Sequence, residues 1–184
     1  MTKKGRQSKG KEIRPTFFVF CEGETEKTYI EFLRSKYRIP IEIVVKTAGS
    51  GINSNFIKNS KKKYTTHQKD KTFLIYDCDV KDITGKLLRI NEVQLLLSNP
   101  CFEIWYLLHF HNQTSEITSK KCVEKLYEHI ANYKKGKLTE HIKTELNENQ
   151  HNAIKRAKEL TESKNPSTNI YVFVEELEKN ILKN

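Results

Sequence analysis

Thr16-Phe17-Phe18-Val19-Phe20-Cys21-Glu22-Gly23-Glu24-Thr25-Glu26 decides the fold. Phe17 to Cys21 form a continuous apolar run between turn signals, the pattern of a strand covered on both faces. The run stops abruptly on an acid and a glycine, Glu22-Gly23. A helix signal follows at once. Glu24, Thr25 and Glu26 supply caps and first-turn acids, and Tyr29, Ile30, Phe32 and Leu33 form an apolar face. A strand–acid–Gly–helix unit sets its acid at the carboxyl end of a parallel strand, where open α/β sheets place their ligands. Thr72-Phe73-Leu74-Ile75-Tyr76 repeats the design and ends on Asp77-Cys78-Asp79. If the two strands are neighbours, Glu22, Asp77 and Asp79 converge at one edge of the sheet. Three carboxylates there, in a chain of net charge +10, make a candidate site for a hard divalent cation.

The remaining elements fall on either side of these two strands. Helical spacing covers 24–37 and ends at Arg38-Ile39-Pro40. Ile41 to Val45 is a second strand, followed by a Gly/Ser turn at 47–51, whose backbone could face an anion but which reads more simply as a strand-to-helix turn. Asn53 or Ser54 caps a helix expected to run to about 66. Residues 80–93 leave a short crossover with a turn or two of helix around Gly85 to Ile90. Val93 to Leu97 is a fourth strand, ended by Ser98-Asn99-Pro100. A helix then begins near 101, with Phe102, Trp105, Leu108 and His109 on one face and Trp105 read as core. From Thr114 the chain reads as amphipathic helices over 118–133, 137–147 and 150–163, a capped loop at 165–169 and a last helix over 170–182. The order predicts an α/β fold: a four-stranded, mainly parallel, Rossmann-like sheet flanked by helices, with a C-terminal helical extension. The expected organisation is a basic flexible tail over 1–14, a core over 15–112 and a helical extension over 113–184 packing on the core.

Lysine and arginine number 33 against 23 aspartates and glutamates, a balance that favours a polyanionic partner, nucleic acid first. Lys58, Lys61, Lys62 and Lys63 lie in the densest basic cluster. It reads equally as the solvated face of a helix and as a ridge that contacts phosphates without reading sequence. The four cysteines, at 21, 78, 101 and 122, show no CxxC pair and no zinc spacing, and read as small buried residues of a reducing cytoplasm. No apolar run reaches the roughly 18 residues of a membrane span, and no apolar signal core follows the basic start. A cytoplasmic location without membrane contact is the expectation.

Two aspartates two apart at a strand end can face a single ion, and Mg²⁺ takes such oxygen ligands while keeping several waters. Glu22 reads as a further ligand or as a general acid or base. Asp82 and Glu103 are the candidate additional acids for a two-metal site, Glu103 because it opens the helix after the fourth strand.

At these residues the sequence resembles the Toprim fold family, with a Glu after the first strand and an Asp-x-Asp after a later one. More closely it resembles the RloB family, a Toprim-like group tied to restriction and abortive-infection loci. The stretches that carry the likeness are FFVFCEGETEKTYIEFL (17–33), FLIYDCD (73–79), LSNPCFEIWYLLHF (97–110) and NPSTNIYVFVEEL (165–177). The resemblance implies a Toprim-like catalytic core, Mg²⁺- or Mn²⁺-dependent nucleic-acid chemistry and a role in phage defence. Glu22 matches the family Glu, Asp77 and Asp79 the Asp-x-Asp pair, and Glu103 the acid of the SNP block. The function expected is a metal-dependent nuclease with Glu22, Asp77 and Asp79 catalytic. These three and Glu103 would hold metal, and Lys58, Lys61, Lys62 and Lys63 would contact nucleic acid. The alternative is a nucleotide- or nucleic-acid-binding regulatory module that keeps the site without turnover. A nucleotidyl-transfer role needs a partner domain not visible in this sequence. DNA and RNA, tRNA included, stay open as substrates, as do a partner defence protein and a homo-oligomer.

Overall fold

The computed structural model describes residues 15–38, 41–45, 51–78 and 81–181, with the backbone alone for 41–45 and 81–83. The tail over 1–14, the Gly/Ser turn over 47–50 and Asp79 lie outside the described residues, and so does the side chain of Asp82. In chain order the elements are β1 (Phe17–Cys21), α1 (Glu24–Tyr37), β2 (Ile41–Val45), α2 (Ser54–Lys61), β3 (Lys71–Asp77), α3 (Lys81–Leu87) and β4 (Gln94–Asn99). They continue with α4 (Glu103–Phe110), α5 (Ser119–His129), α6 (Glu140–Glu148), α7 (Gln150–Glu159), β5 (Ser167–Thr168) and α8 (Ile170–Ile181). The sheet order is β2-β1-β3-β4-β5, and the first four strands are parallel. The fold is α/β with a mostly parallel sheet flanked by helices, compatible with a Rossmann-like arrangement.

Alternation along each strand divides the interior in two. Phe17, Val19 and Cys21 of β1 join Phe73, Ile75 and Leu96 in the larger core, which α1, α4 and α8 cover with Tyr29, Leu33, Trp105 and Phe173. Phe18, Phe20, Leu74 and Tyr76 face the smaller core under α2 and α3, with Ile57 and Leu87. Every strand side chain of β1 is buried, as the unbroken apolar run requires. Trp105 is fully buried, as expected of a core residue. Cys21, Cys101 and Cys122 are buried as expected, but Cys78 is only half-buried because it lies past the end of β3.

Several expected bounds need correction, and α5 ends at His129 instead of 133 and α7 at Glu159 instead of 163. The helix begun by Asn53 stops at Lys61, not near 66. Lys61 turns its ammonium back onto the sheet, donating to Thr72 Oγ1 and lying 4.8 Å from the centre of the Phe18 ring. The chain beyond is held in a turn by Asp70, whose carboxylate accepts the N–H groups of His67 at 2.8 Å and Thr16 at 2.7 Å. The sheet also has a fifth strand where a loop was expected. Ser167 and Thr168 pair antiparallel with Asn99 and Ser98. Asn169 fixes the pairing: its Oδ1 accepts the Leu97 N–H at 2.6 Å and its Nδ2 donates to the Leu95 carbonyl at 3.2 Å.

Helix α4 is buried from Glu103 to His109. Its carboxyl end is closed by Arg156 of α7, whose Nη1 donates to the Leu108 carbonyl at 2.7 Å and the His109 carbonyl at 3.0 Å. His109 itself is 1% exposed and bonds through Nδ1 to the Trp105 carbonyl at 2.8 Å. Burial drives its pKa down from 6.5 to about 4. The unfolded chain therefore binds the proton first. This group's contribution is fully present above pH 6.5 and is lost as the pH falls through 4, on the order of 3 kcal/mol. His109→Gln should flatten that acid-side loss. Urea denaturation at pH 7 and pH 4 measures it, and an unchanged difference between the two pH values would show that His109 does not supply the slope.

Candidate functional site

Parallel pairing sets Cys21 beside Ile75, so Glu22, one residue on, and Asp77, two residues on, come off neighbouring strand ends. The Asp77 N–H donates to Glu22 Oε2 at 3.1 Å, and the Glu22 N–H donates to the Ile75 carbonyl at 3.1 Å. The first acid is thus tied to the backbone that carries the second. The adjacency of the first and third strands, which their acids require, is present.

The turn into α1 is held by Glu26, whose first-turn position alone marks it only as a capping acid. Glu26 Oε2 accepts the Gly23 N–H at 3.0 Å. A side chain at 23 would place its Cβ 3.1 Å from the same oxygen, so glycine leaves this carboxylate its room. Glu26 is 6% exposed, and its carboxyl is raised to about 7. Burial is the main cause and the charges of Glu103 and Glu22 add to it, against the lowering hydrogen bonds of the backbone.

Glu103 is 2% exposed in the first turn of α4. Its Oε1 lies 3.1 Å from Lys135 Nζ and accepts the Tyr133 hydroxyl at 3.3 Å. Burial lowers the Lys135 ammonium, but the charge and hydrogen bond of Glu103, with smaller contributions from Cys101 and Asp77, outweigh it and its pKa is raised. Lys135 therefore senses both Glu103 and Asp77, and Glu26 both Glu103 and Glu22. The Tyr76 hydroxyl is buried, has no hydrogen-bond partner among the described residues, and is pushed up in pKa by burial and then by Glu22.

Gly136 adopts φ 69°, in the left-handed region, and packs against α1. Its N–H donates to Thr25 Oγ1 at 3.2 Å, and its carbonyl accepts Thr28 Oγ1 at 3.0 Å. The windows 118–133 and 137–147 left Lys134, Lys135 and Gly136 as a bare helix link, so sequence periodicity gave them no role. The Gly after two lysines was the signal that the link turns sharply.

The structure sets Glu22 beside Asp77 at neighbouring strand ends, and among the described residues no three acids form a group that could hold a metal ion. It does not bring Lys58, Lys61, Lys62 and Lys63 to Glu22 and Asp77. Helix α2 runs back along the sheet, from Phe56 against Phe20 to Lys61 against Phe18 and Thr72. Its lysine end lies at the amino edge, five strand residues or roughly 16 Å from Asp77. Lys61 is partly buried and its pKa is lowered by that burial.

Glu26 has a folded pKa raised above its ordinary 4.5. The stability it confers is complete below pH 4.5 and is lost as the pH rises through about 7, on the order of 3 kcal/mol. Glu26→Gln keeps an oxygen for the Gly23 N–H and should remove this loss. Urea titrations at pH 5 and pH 8 compare the two proteins, and an equal loss in both would place the titrating group elsewhere.

A protein-family model described as RloB-like protein matches residues 17–177. No curated protein and no solved structure matches the chain.

Proposed function

The chain belongs to the RloB-like protein family, and we propose that it is a Toprim-like nuclease that hydrolyses phosphodiester bonds of nucleic acid with Mg²⁺ or Mn²⁺, in defence against phage. The observation that carries the reading is the bond from the Asp77 N–H to Glu22 Oε2, which ties the first acid to the backbone of the second at adjacent parallel strand ends. A metal-dependent phosphodiesterase needs such an arrangement, with carboxylate oxygens fixed before any cation or substrate arrives.

The donor set suits a hard cation. Glu22 and Asp77 offer carboxylate oxygens, and the unpartnered Tyr76 hydroxyl leaves a polar group at the same edge. Among the described residues no group of three or more His, Cys, Asp or Glu side chains is arranged to hold a metal ion. In this reading Asp79, the third acid of the motif, completes the set with Glu22 and Asp77, and Glu103 adds a fourth carboxylate. When bound, the metal would supply positive charge for the phosphate and a more acidic water. The chain's own residues fix the geometry. Glu22 is oriented by the Asp77 N–H, and Glu26 holds the Gly23 turn. Glu103 is oriented by Tyr133 and Lys135. Hydrolysis forms a bond from the water oxygen to phosphorus and breaks one ester P–O bond. The leaving oxygen takes up a proton.

Purified protein incubated with Mg²⁺ or Mn²⁺ and with total tRNA, single-stranded DNA or duplex DNA should cut at least one of the three. EDTA should stop the reaction, and Glu22→Gln and Asp77→Asn should each slow it by about 10²-fold or more. Crowded carboxylates repel by about 1 kcal/mol for each close pair. Asp77→Asn should therefore leave the metal-free melting temperature unchanged or raise it, and abolish the rise that added metal causes. A sharp fall in the metal-free value with the metal response intact would make Asp77 a structural cap. Nucleic-acid binding without cleavage under either metal would favour the regulatory module instead.

A further inference from the structure

We propose that the loop Lys134-Lys135-Gly136-Lys137 is the phosphate-binding element of this site, with Lys135 contacting the phosphodiester that reacts and Lys134 and Lys137 the phosphates beside it. The proposal rests on the nuclease reading and replaces the α2 lysines as the main contact.

The argument starts from repulsion. Glu22 and Asp77 stand at one edge of the sheet and Glu103 in the first turn of α4, and a phosphodiester approaching them meets charge of its own sign. A strand settles there only if cations face it from the same side. The Lys135 ammonium meets that requirement, at 3.1 Å from Glu103 Oε1 with its side chain 63% exposed. It reaches the acids from solvent, and an ammonium carries three N–H donors, more than the bond to Glu103 uses.

The loop is held in place before any ligand arrives. The Lys137 N–H donates to the Lys134 carbonyl at 3.0 Å, closing a tight turn whose ends pair as an isolated antiparallel bridge. Gly136 is fastened to Thr25 and Thr28, in the first turns of the helix that follows Glu22 and Gly23. A Cβ at 136 would fall 2.9 Å from Glu24 Cβ, and φ 69° disfavours any side chain there. Such close docking fixes Lys135 relative to Glu22 through the backbone. Lys134 and Lys137 flank it, both exposed, and among the described residues neither takes part in an ion pair. Three lysines within four residues can follow consecutive phosphates, whereas Lys61 of α2 is committed to Thr72 and Phe18 at the other end of the sheet.

The test uses the full chain and fluorescein-labelled oligo(dT) and oligo(U) of about 20 nucleotides. Fluorescence anisotropy in EDTA, between about 50 and 200 mM salt, gives the slope of log affinity against log salt. Lys134→Ser with Lys137→Ser should weaken binding about ten-fold and make the slope shallower by about 1.4, two single-strand phosphate contacts' worth. Lys135→Met should make it shallower by about 0.7 and cut metal-dependent cleavage about 10²-fold, while Lys135→Arg retains most of both. Lys58→Ser, Lys62→Ser and Lys63→Ser together should leave affinity, slope and cleavage unchanged. Melting temperatures separate loss of the Glu103 pairing from loss of phosphate contact.

The loop is structural, and the proposal falls, if its variants change only the melting temperature. It falls equally if the α2 variant alone flattens the slope. In both cases a cleaving wild type leaves the nuclease reading standing. A wild type that binds neither oligonucleotide and cuts no nucleic acid under either metal overturns both.

Discussion

Crowded negative charge is the constraint that the site edge of this structure answers. Four carboxylates are placed at the carboxyl ends of β1 and β3 and in the first turns of α1 and α4. Three of them have a named donor. Glu22 takes the Asp77 N–H, Glu26 the Gly23 N–H, and Glu103 the Tyr133 hydroxyl and the Lys135 ammonium. Two of these donors are backbone groups that exist only in this chain geometry. An orienting bond of this kind stabilises a charged carboxylate, yet burial still raises the Glu26 carboxyl to about 7. The balance is local, and one carboxyl of the set holds its proton near neutrality.

The parallel sheet was legible because its strands have no polar face. Phe17 to Cys21 and Thr72 to Tyr76 are buried on both sides, and that produces the unbroken apolar runs from which their position could be read. The acids at their ends were legible for the same reason, since a charge directly after such a run has to sit at a sheet edge. Other features depend on contacts far apart in the chain. Residues 167–168 form a strand only because Asn169 bonds Leu95 and Leu97, some seventy positions earlier. Helix α2 stops at Lys61 where its ammonium meets Thr72 and the chain turns toward Asp70. Neither signal is periodic. Glu26 looked like any first-turn acid, and only the fold sets Glu103 near it.

The two specific polar blocks of the sequence explain each other in this light. Leu97-Ser98-Asn99-Pro100 and Asn165-Pro166-Ser167-Thr168-Asn169 meet as β4 and β5, with Ser98 Oγ and Thr168 Oγ1 2.9 Å apart in a buried contact. Both hydroxyls are buried and need a partner, so each block supplies what the other requires. The pairing also fixes where β4 ends, and therefore where α4 begins. Glu103 owes its place at the site to this distant clamp as much as to its own segment.

Net charge is a property of the whole chain and cannot say which surface meets a polyanion. The densest run of lysines, at 58–63, was the natural choice on composition, and the fold sets it at the amino edge of the sheet. The shorter run at 134–137 is less conspicuous in sequence, but a turn closed by Gly136 presses it against the helix that follows Glu22. Coulomb attraction between a lysine and a phosphate falls with distance and is screened within about 10 Å at ordinary salt. A lysine some 16 Å from the acids along the strand therefore does not act at the site. One held at 3.1 Å from Glu103 acts on whatever enters it. Position, fixed by a glycine in the left-handed region and two threonine hydroxyls, decides between basic segments that charge counting ranks the other way.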